Sequence, residues 1–287
     1  MNVIENERVS SVQNPMFQFF HIDRNSLVLV SLLFILLLTN SCTTLRTLHK
    51  TLLPIEMVPV PAGSFMMGDL FFGENEDALP LHSVELPFFW IGQSEITYTQ
   101  YDAFAEGTNR PLPEDGALGR ENRAVVHVTW DEAYAFCQAY GLRLPTEQEW
   151  EYAARSAGLE QLYSGTSDPD SLNTISRNRD NSAPYVMSPR TKKANELGLY
   201  DMTGNAFEWI GAYYQFYPES GEITAWYNLE SMDMRVIRGG SFREETRTLH
   251  NYWRVAVLRD TRDDDLGFRC AGEPQEMIHP KIKLASN

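Results

Sequence analysis

The chain has 287 residues, with 24 Lys and Arg against 39 Asp and Glu, a net charge of −15. A surplus of negative charge repels phosphate backbones, which excludes nucleic acid as a partner class. With 43% hydrophobic and 12% aromatic residues, the chain has enough apolar surface to fold rather than stay disordered.

Residues 27–38 read LVLVSLLFILLL, with Arg24 just before them. Twelve apolar residues fall short of the roughly 20 that span a bilayer and fit the apolar core of a signal peptide. Leu38, Thr39, Asn40, Ser41 and Cys42 follow. A small residue directly before a cysteine resembles a bacterial lipobox, in which cleavage leaves an acylated cysteine as the new N-terminus. The expectation is a signal peptide over 1–41, lipidation at Cys42 and a tether over 42–56. The alternative is a short uncleaved anchor. The stretch before Arg24 contains Glu5 and Glu7 and is long for a signal peptide; a start at Met16 would give one of ordinary length. In either case the rest of the chain is expected outside the cytoplasm, at the bacterial cell envelope.

From Met57 onward no linker or low-complexity stretch appears, and the reading is one domain over 57–274 with a C-terminal tail over 275–287. Three helix starts share one device. Thr97-x-x-Gln100, Thr129-x-x-Glu132 and Thr146-x-x-Glu149 are capping boxes, in which a threonine oxygen accepts from an early backbone N–H and the later side chain bonds back. The helices are expected to stop at Gly107, at Gly141 and before Gly158, because glycine accepts the left-handed conformation past a helix end. Strands are predicted at residues 88–91 (FFWI) and 235–238 (RVIR).

The spacing of Trp130, Ala133, Tyr134 and Cys137 marks a buried helix face, so Cys137 points inward. With Cys42 set apart by the leader, Cys137 and Cys270 remain. In an exported protein an even pair reads as a disulfide; two buried free thiols are the alternative. Residues 164–193 form a long, polar, turn-rich stretch, and such a loop in a compact domain is usually functional or ion-stabilised.

Six blocks then occur in order: MVPVPAGSFMMG at 57–68; HSV at 82–84 with EIT at 95–97; LPTEQEWEYAAR at 144–155; GLYDMTGNAFEW at 198–209; RGGSF at 238–242; and LGFRC at 266–270. Together they resemble the formylglycine-generating enzyme, or sulfatase-modifying factor, family over about residues 57–272. The resemblance implies an α+β, variant C-type-lectin-like fold, low in regular secondary structure. It also implies a disulfide between Cys137 and Cys270, and structural calcium in the fourth block. There Asp201 and Glu208 offer carboxylates and Gly204 and Ala206 offer backbone carbonyls, the mixture of oxygens calcium takes; Asn205 is a further candidate. The alternative use is structural, with Asp201 capping a turn and Glu208 pairing with an arginine. A second family calcium site falls in the long loop, where Asn173 and Asp180 are the candidates.

Oxidase members of that family hold copper(I) with two cysteines in the segment after Gly-Gly-Ser. Here residues 241–254 read SFREETRTLHNYWR, with Glu244 at the first cysteine's place and Leu249 or His250 at the second's. A carboxylate and an imidazole do not replace two thiolates for so soft an ion. Neither copper nor formylglycine synthesis on sulfatase cysteines by the family mechanism is therefore expected. Glu244, Glu245 and His250 could instead form a hard-metal site or simply line a solvated rim, so Glu244 and His250 are the candidate catalytic residues. His82 and His127 read as structural, and Tyr252 and Trp253 as groove or core aromatics.

Two functions follow. The first is a non-catalytic envelope binding or structural module, as the resemblance to cysteine-less lipoproteins of gliding motility and secretion implies, contacting envelope proteins or peptide segments and tethered to the membrane by its N-terminal lipid. The second is a periplasmic metal-dependent oxidase of altered chemistry.

Overall fold

A computed structural model of the chain describes residues 52–217 and 233–274, and the backbone of 282–284. The expected signal peptide, Cys42 and most of the tether lie outside the described residues. Strands β1 (Ile55–Val60), β2 (Gly63–Met67), β3 (His82–Leu86) and β4 (Phe89–Gly92) precede three helices, α1 (Tyr98–Thr108), α2 (Trp130–Ala139) and α3 (Glu147–Ala154). A single helical turn, α4 (Leu172–Ile175), lies in the long loop. Strands β5 (Phe207–Tyr213), β6 (Met234–Arg238), β7 (Arg254–Leu258), β8 (Leu266–Gly267), β9 (Ala271–Gly272) and β10 (Ile282–Leu284) complete the order. They form a four-stranded sheet β10-β1-β4-β9, a β2-β3 hairpin and a second four-stranded sheet β7-β6-β5-β8.

Both ends of the expected domain extend further than its blocks suggested. Leu52 and Ile55 are buried and β1 starts two residues before Met57, because these apolar residues cover the α1–α2 core. Within the expected tail, Ile282–Leu284 pair in parallel with β1, so that part of the tail belongs to a sheet.

All three capping boxes form, with threonine Oγ1 accepting at 3.3, 3.3 and 3.2 Å and the return bonds at 3.0, 2.9 and 2.8 Å. The stop of the first helix differs from expectation. Gly107 lies inside α1, and Asn109 takes the left-handed cap at φ 55, a conformation asparagine tolerates better than most residues. The second helix ends as its glycine indicates, with Gly141 at φ +71. The third ends at Ala154, short of the expected Ser156, and Ser156 and Ala157 take the left-handed turn at φ 51 and 67 before Gly158 is reached.

Cys137 and Cys270 form a disulfide, with Cα atoms 5.6 Å apart and a sequence separation of 133. Both are fully buried among Tyr101, Phe104, Phe136 and Phe268, whose rings meet at 5.2 to 6.3 Å. The other half of the core packs around Trp150, Tyr163, Leu199 and Met202.

Charge is also buried, around α3. Glu147, Glu149 and Glu151 are each at most 5% exposed, and arginines satisfy them. Glu149 takes Arg143, Glu151 takes Arg155 and Arg238, and Glu147 takes Arg254. Carboxylates out of water are tolerable only when paired in this way.

Candidate functional site

The block at 198–209 makes a tight loop leading into β5. Asp201 and Asn205 both sit at positive φ, 56° and 64°. Between them Gly204 lies at φ +79, where an added Cβ would meet the Arg177 carbonyl oxygen at 2.1 Å, so only glycine fits. Backbone bonds lock the loop: Gly204 N–H donates to Gly239 at 2.8 Å and Asn205 N–H to Arg177 at 2.7 Å.

The two carboxylates of the loop meet different surroundings. Glu208 is fully buried. It accepts from Arg269 Nη2 at 2.6 Å on Oε1, and from Arg269 Nε at 2.7 Å and Trp150 Nε1 at 2.8 Å on Oε2. The arginine pairing envisaged for Glu208 is therefore present. Asp201, 3% exposed, accepts from the Arg190 backbone N–H at 2.6 Å through Oδ2, while its Oδ1 is buried with no hydrogen-bond partner. Burial, aided by the charge of Glu208, pushes Asp201 up to about 6 against the pull of Arg190 and Arg269.

A third carboxylate belongs to this chamber. Glu95, between β4 and α1, is 1% exposed. Burial, and next the charge of Asp201, push it well above the usual carboxylate range. The donor set fits a calcium ion, because buried acidic oxygens lack donors and loop carbonyls lie alongside them in sequence. Asp201 with Gly204, Ala206 and Glu208 would hold it, and the ion would neutralise the chamber and pin the loop.

Asn173 and Asp180 are both exposed. The Asn173 side-chain oxygen accepts from Asn181 at 2.6 Å, its backbone oxygen takes the Lys192 ammonium, and the Asp180 N–H donates to Asn178 at 3.0 Å. Among the described residues, one group of three acids brings its ligand atoms within 4.8 Å, Asp263, Asp264 and Asp265. Arg243 already pairs with them, and Ser241 Oγ donates to Asp265 at 2.8 Å.

The strip 241–254 forms the connection from β6 to β7. Leu249 is buried against Gly240, and His250 is 7% exposed. His250 lies at the edge of a cavity of about 290 Å³ lined by Asp69, Phe72, Arg247, Tyr252 and Trp253 among others. The imidazole Nδ1 is 2.7 Å from Tyr252 Oη, Phe72 stacks on the ring at 5.6 Å and 27°, and Tyr163 flanks it at 5.3 Å. Burial lowers His250 to about 4, so it is neutral near pH 7. Glu244 does not line this cavity; its carboxylate accepts from Thr248 Oγ1, while exposed Glu245 pairs with Arg179. The structure thus commits the two candidate residues to separate partners.

No site role was evident in the sequence for Asp69, or for Glu95 of the EIT block. Asp69 gathers four backbone N–H groups, of Phe71, Phe72, Glu74 and Asn75, at 2.9 to 3.2 Å. These bonds hold its carboxyl below the usual range despite burial and shape the loop carrying Phe72. An aspartate followed by a Gly- and Asn-containing turn was the available signal. His82 is structural as expected, with Nδ1 3.0 Å from the Pro80 carbonyl and its ring edge-on to Tyr217. His127 sits at φ 59, with its N–H donated to Asp263 at 2.9 Å.

The sheets, the helices, the disulfide from α2 to the segment before β9 and the long loops define a variant C-type-lectin-like α+β fold. The solved structure of PvdO from Pseudomonas aeruginosa shares it, with a TM-score of 0.64, 24% identity, and coverage of 76% of this chain and 94% of that one. Residues 45–274 match the sulfatase-modifying factor enzyme 1-like domain, and the chain belongs to that family. It is 28% identical to the formylglycine-generating enzyme of Streptomyces coelicolor over 75% of this chain and 88% of that protein. It is 33% identical to the inactive C-alpha-formylglycine-generating enzyme 2 of Mus musculus over 57% of this chain and 54% of that protein.

Proposed function

We propose that this chain is a non-catalytic member of its family. On this reading it is a binding or structural module of the bacterial cell envelope, tethered by a lipid on Cys42 and contacting envelope proteins or peptide segments. The observation that carries the reading is the strip 241–254. It has no thiol, and the residues at the thiol positions are engaged elsewhere, Glu244 by Thr248 and His250 by Tyr252. Oxygen and nitrogen donors do not make a copper(I) site, so no step is assigned to copper. The aromatic cavity beside His250 is the place for a partner's side chain, and calcium at the Asp201 loop is structural. The name of the mouse relative supports a family with inactive members.

The test is direct. The purified chain, given a Cys-x-Pro-x-Arg peptide, thiol reductant and copper, is expected to form no aldehyde and consume no oxygen, and affinity capture of the lipidated chain is expected to recover a defined envelope complex. Aldehyde formation would overturn the proposal. The neutral, buried imidazole of His250 supports a second reading, a metal-dependent oxidase of altered chemistry. Stoichiometric iron or copper in protein purified without chelator would favour it; calcium alone would remove its support.

A further inference from the structure

Glu95 and Asp201 share an unusual state. Each is almost completely buried, at 1% and 3% exposure, and each keeps one carboxylate oxygen, Oε2 and Oδ1 respectively, without a hydrogen-bond partner. Their other oxygens are fixed. Asn205 Nδ2 donates to Glu95 Oε1 at 2.8 Å, and the Arg190 N–H donates to Asp201 Oδ2. Asn205 is itself held, because its Oδ1 accepts from the Met187 N–H at 2.9 Å. The amide therefore aims the Glu95 carboxylate rather than merely touching it. The guanidinium buried in this chamber, Arg269, forks onto Glu208 instead.

A buried acceptor with no donor is costly, and two of like charge cannot satisfy one another as anions. A divalent cation satisfies both at once, since calcium accepts carboxylates from different segments. We propose that Glu95 is a further cation-holding residue of the Asp201 site, its free Oε2 joining Asp201 Oδ1 on the ion. This rests on the reading of the Asp201 loop as a calcium site. It adds a ligand from the segment between β4 and α1, so the ion ties the first sheet to the loop before β5.

The test uses the full chain in detergent, stripped with chelator, and compares wild type with Glu95→Gln, Glu95→Asp and Asp201→Asn by calorimetric calcium titration and thermal unfolding. Glu95→Gln keeps the Asn205 hydrogen bond and removes one charge. It is expected to weaken calcium binding at least tenfold, to raise the unfolding midpoint in chelator, and to shrink the midpoint rise that calcium gives. Glu95→Asp, which withdraws the oxygen and keeps the charge, is expected to weaken binding without the gain in chelator. Wild-type affinity in both Glu95 variants, with binding lost in Asp201→Asn, would refute the role of Glu95 and leave the calcium reading standing. A Glu95→Gln chain less stable than wild type in chelator would also count against the proposal. No calcium binding by wild type would sink the calcium reading itself and this inference with it.

Discussion

Arg254, the first residue of β7, grips Glu147 of α3 with both arms of its guanidinium, Nε to Oε1 at 2.7 Å and Nη2 to Oε2 at 2.8 Å, both partners being nearly inaccessible to water. Its remaining nitrogen bridges the backbone carbonyls of Asp77 and Gln215. Arg254→Met would leave Glu147 buried without its principal partner, and breaking a pair of this kind costs about 3–5 kcal/mol. Urea unfolding is expected to show that loss, and Glu147→Met combined with Arg254→Met is expected to recover at least half of it. A single variant of wild-type stability would contradict this account of the pair.

The Cys137–Cys270 bridge closes a loop at a sequence separation of 133. Replacing both cysteines by alanine is expected to cost about 5 kcal/mol, the chain-entropy scale for a loop of that length. Reductant should lower the unfolding midpoint of wild type and leave that of the double variant unchanged.

His250 sets an acid dependence. In the unfolded chain an imidazole takes its proton near pH 6.5, whereas in the folded chain burial delays this to about 4. Between those values the unfolded state binds more protons, so stability falls as pH drops through the window and is fully present above it. At full depth the effect is roughly 3 kcal/mol. Midpoints measured at pH 7 and pH 4.5 should differ less in His250→Gln than in wild type. An equal difference would place His250 in water.

Gly204→Ala is expected to be severely destabilising. It combines a left-handed backbone with a Cβ placed 2.1 Å from the Arg177 oxygen, and each fault costs about 1–3 kcal/mol. Gly141→Ala serves as the control, since its positive φ meets no atom within 4 Å; hydrogen exchange should show loosening around Arg177 only for the former.

The helix starts were legible because a capping box is complete within four residues, so the sequence holds both halves of each bond. Periodicity gave the inward positions of Trp130, Ala133 and Cys137 on α2, but Tyr134, read with them, is exposed and Phe136 fills the core instead. The end of α1 was misjudged because glycine is the commoner left-handed residue, while Asn109 could take that conformation two positions later. The candidate site was legible only in part. Asp201 and Glu208 stood out as paired carboxylates on one loop, but the arginine that claims Glu208 lies 61 residues further on. Glu95 looked like scaffold, because its nearness to Asp201 exists only after β4 and the loop before β5 are brought together. Asp69 was hidden by the plainness of its role, since a carboxylate that collects its own loop's amides has no partner side chain to betray it.

The strip 241–254 emerges between Arg238 and Arg254, which face each other in the β6–β7 register and both hold on to α3, through Glu151 and Glu147. It is therefore a cassette, clipped into its socket at both ends by side chains that take no part in what it carries. Such an arrangement uncouples the survival of the architecture from the survival of the chemistry. A lineage can exchange sulfur for other donors between the two clips, surrender one reaction, and still present the same framework to whatever it next comes to recognise.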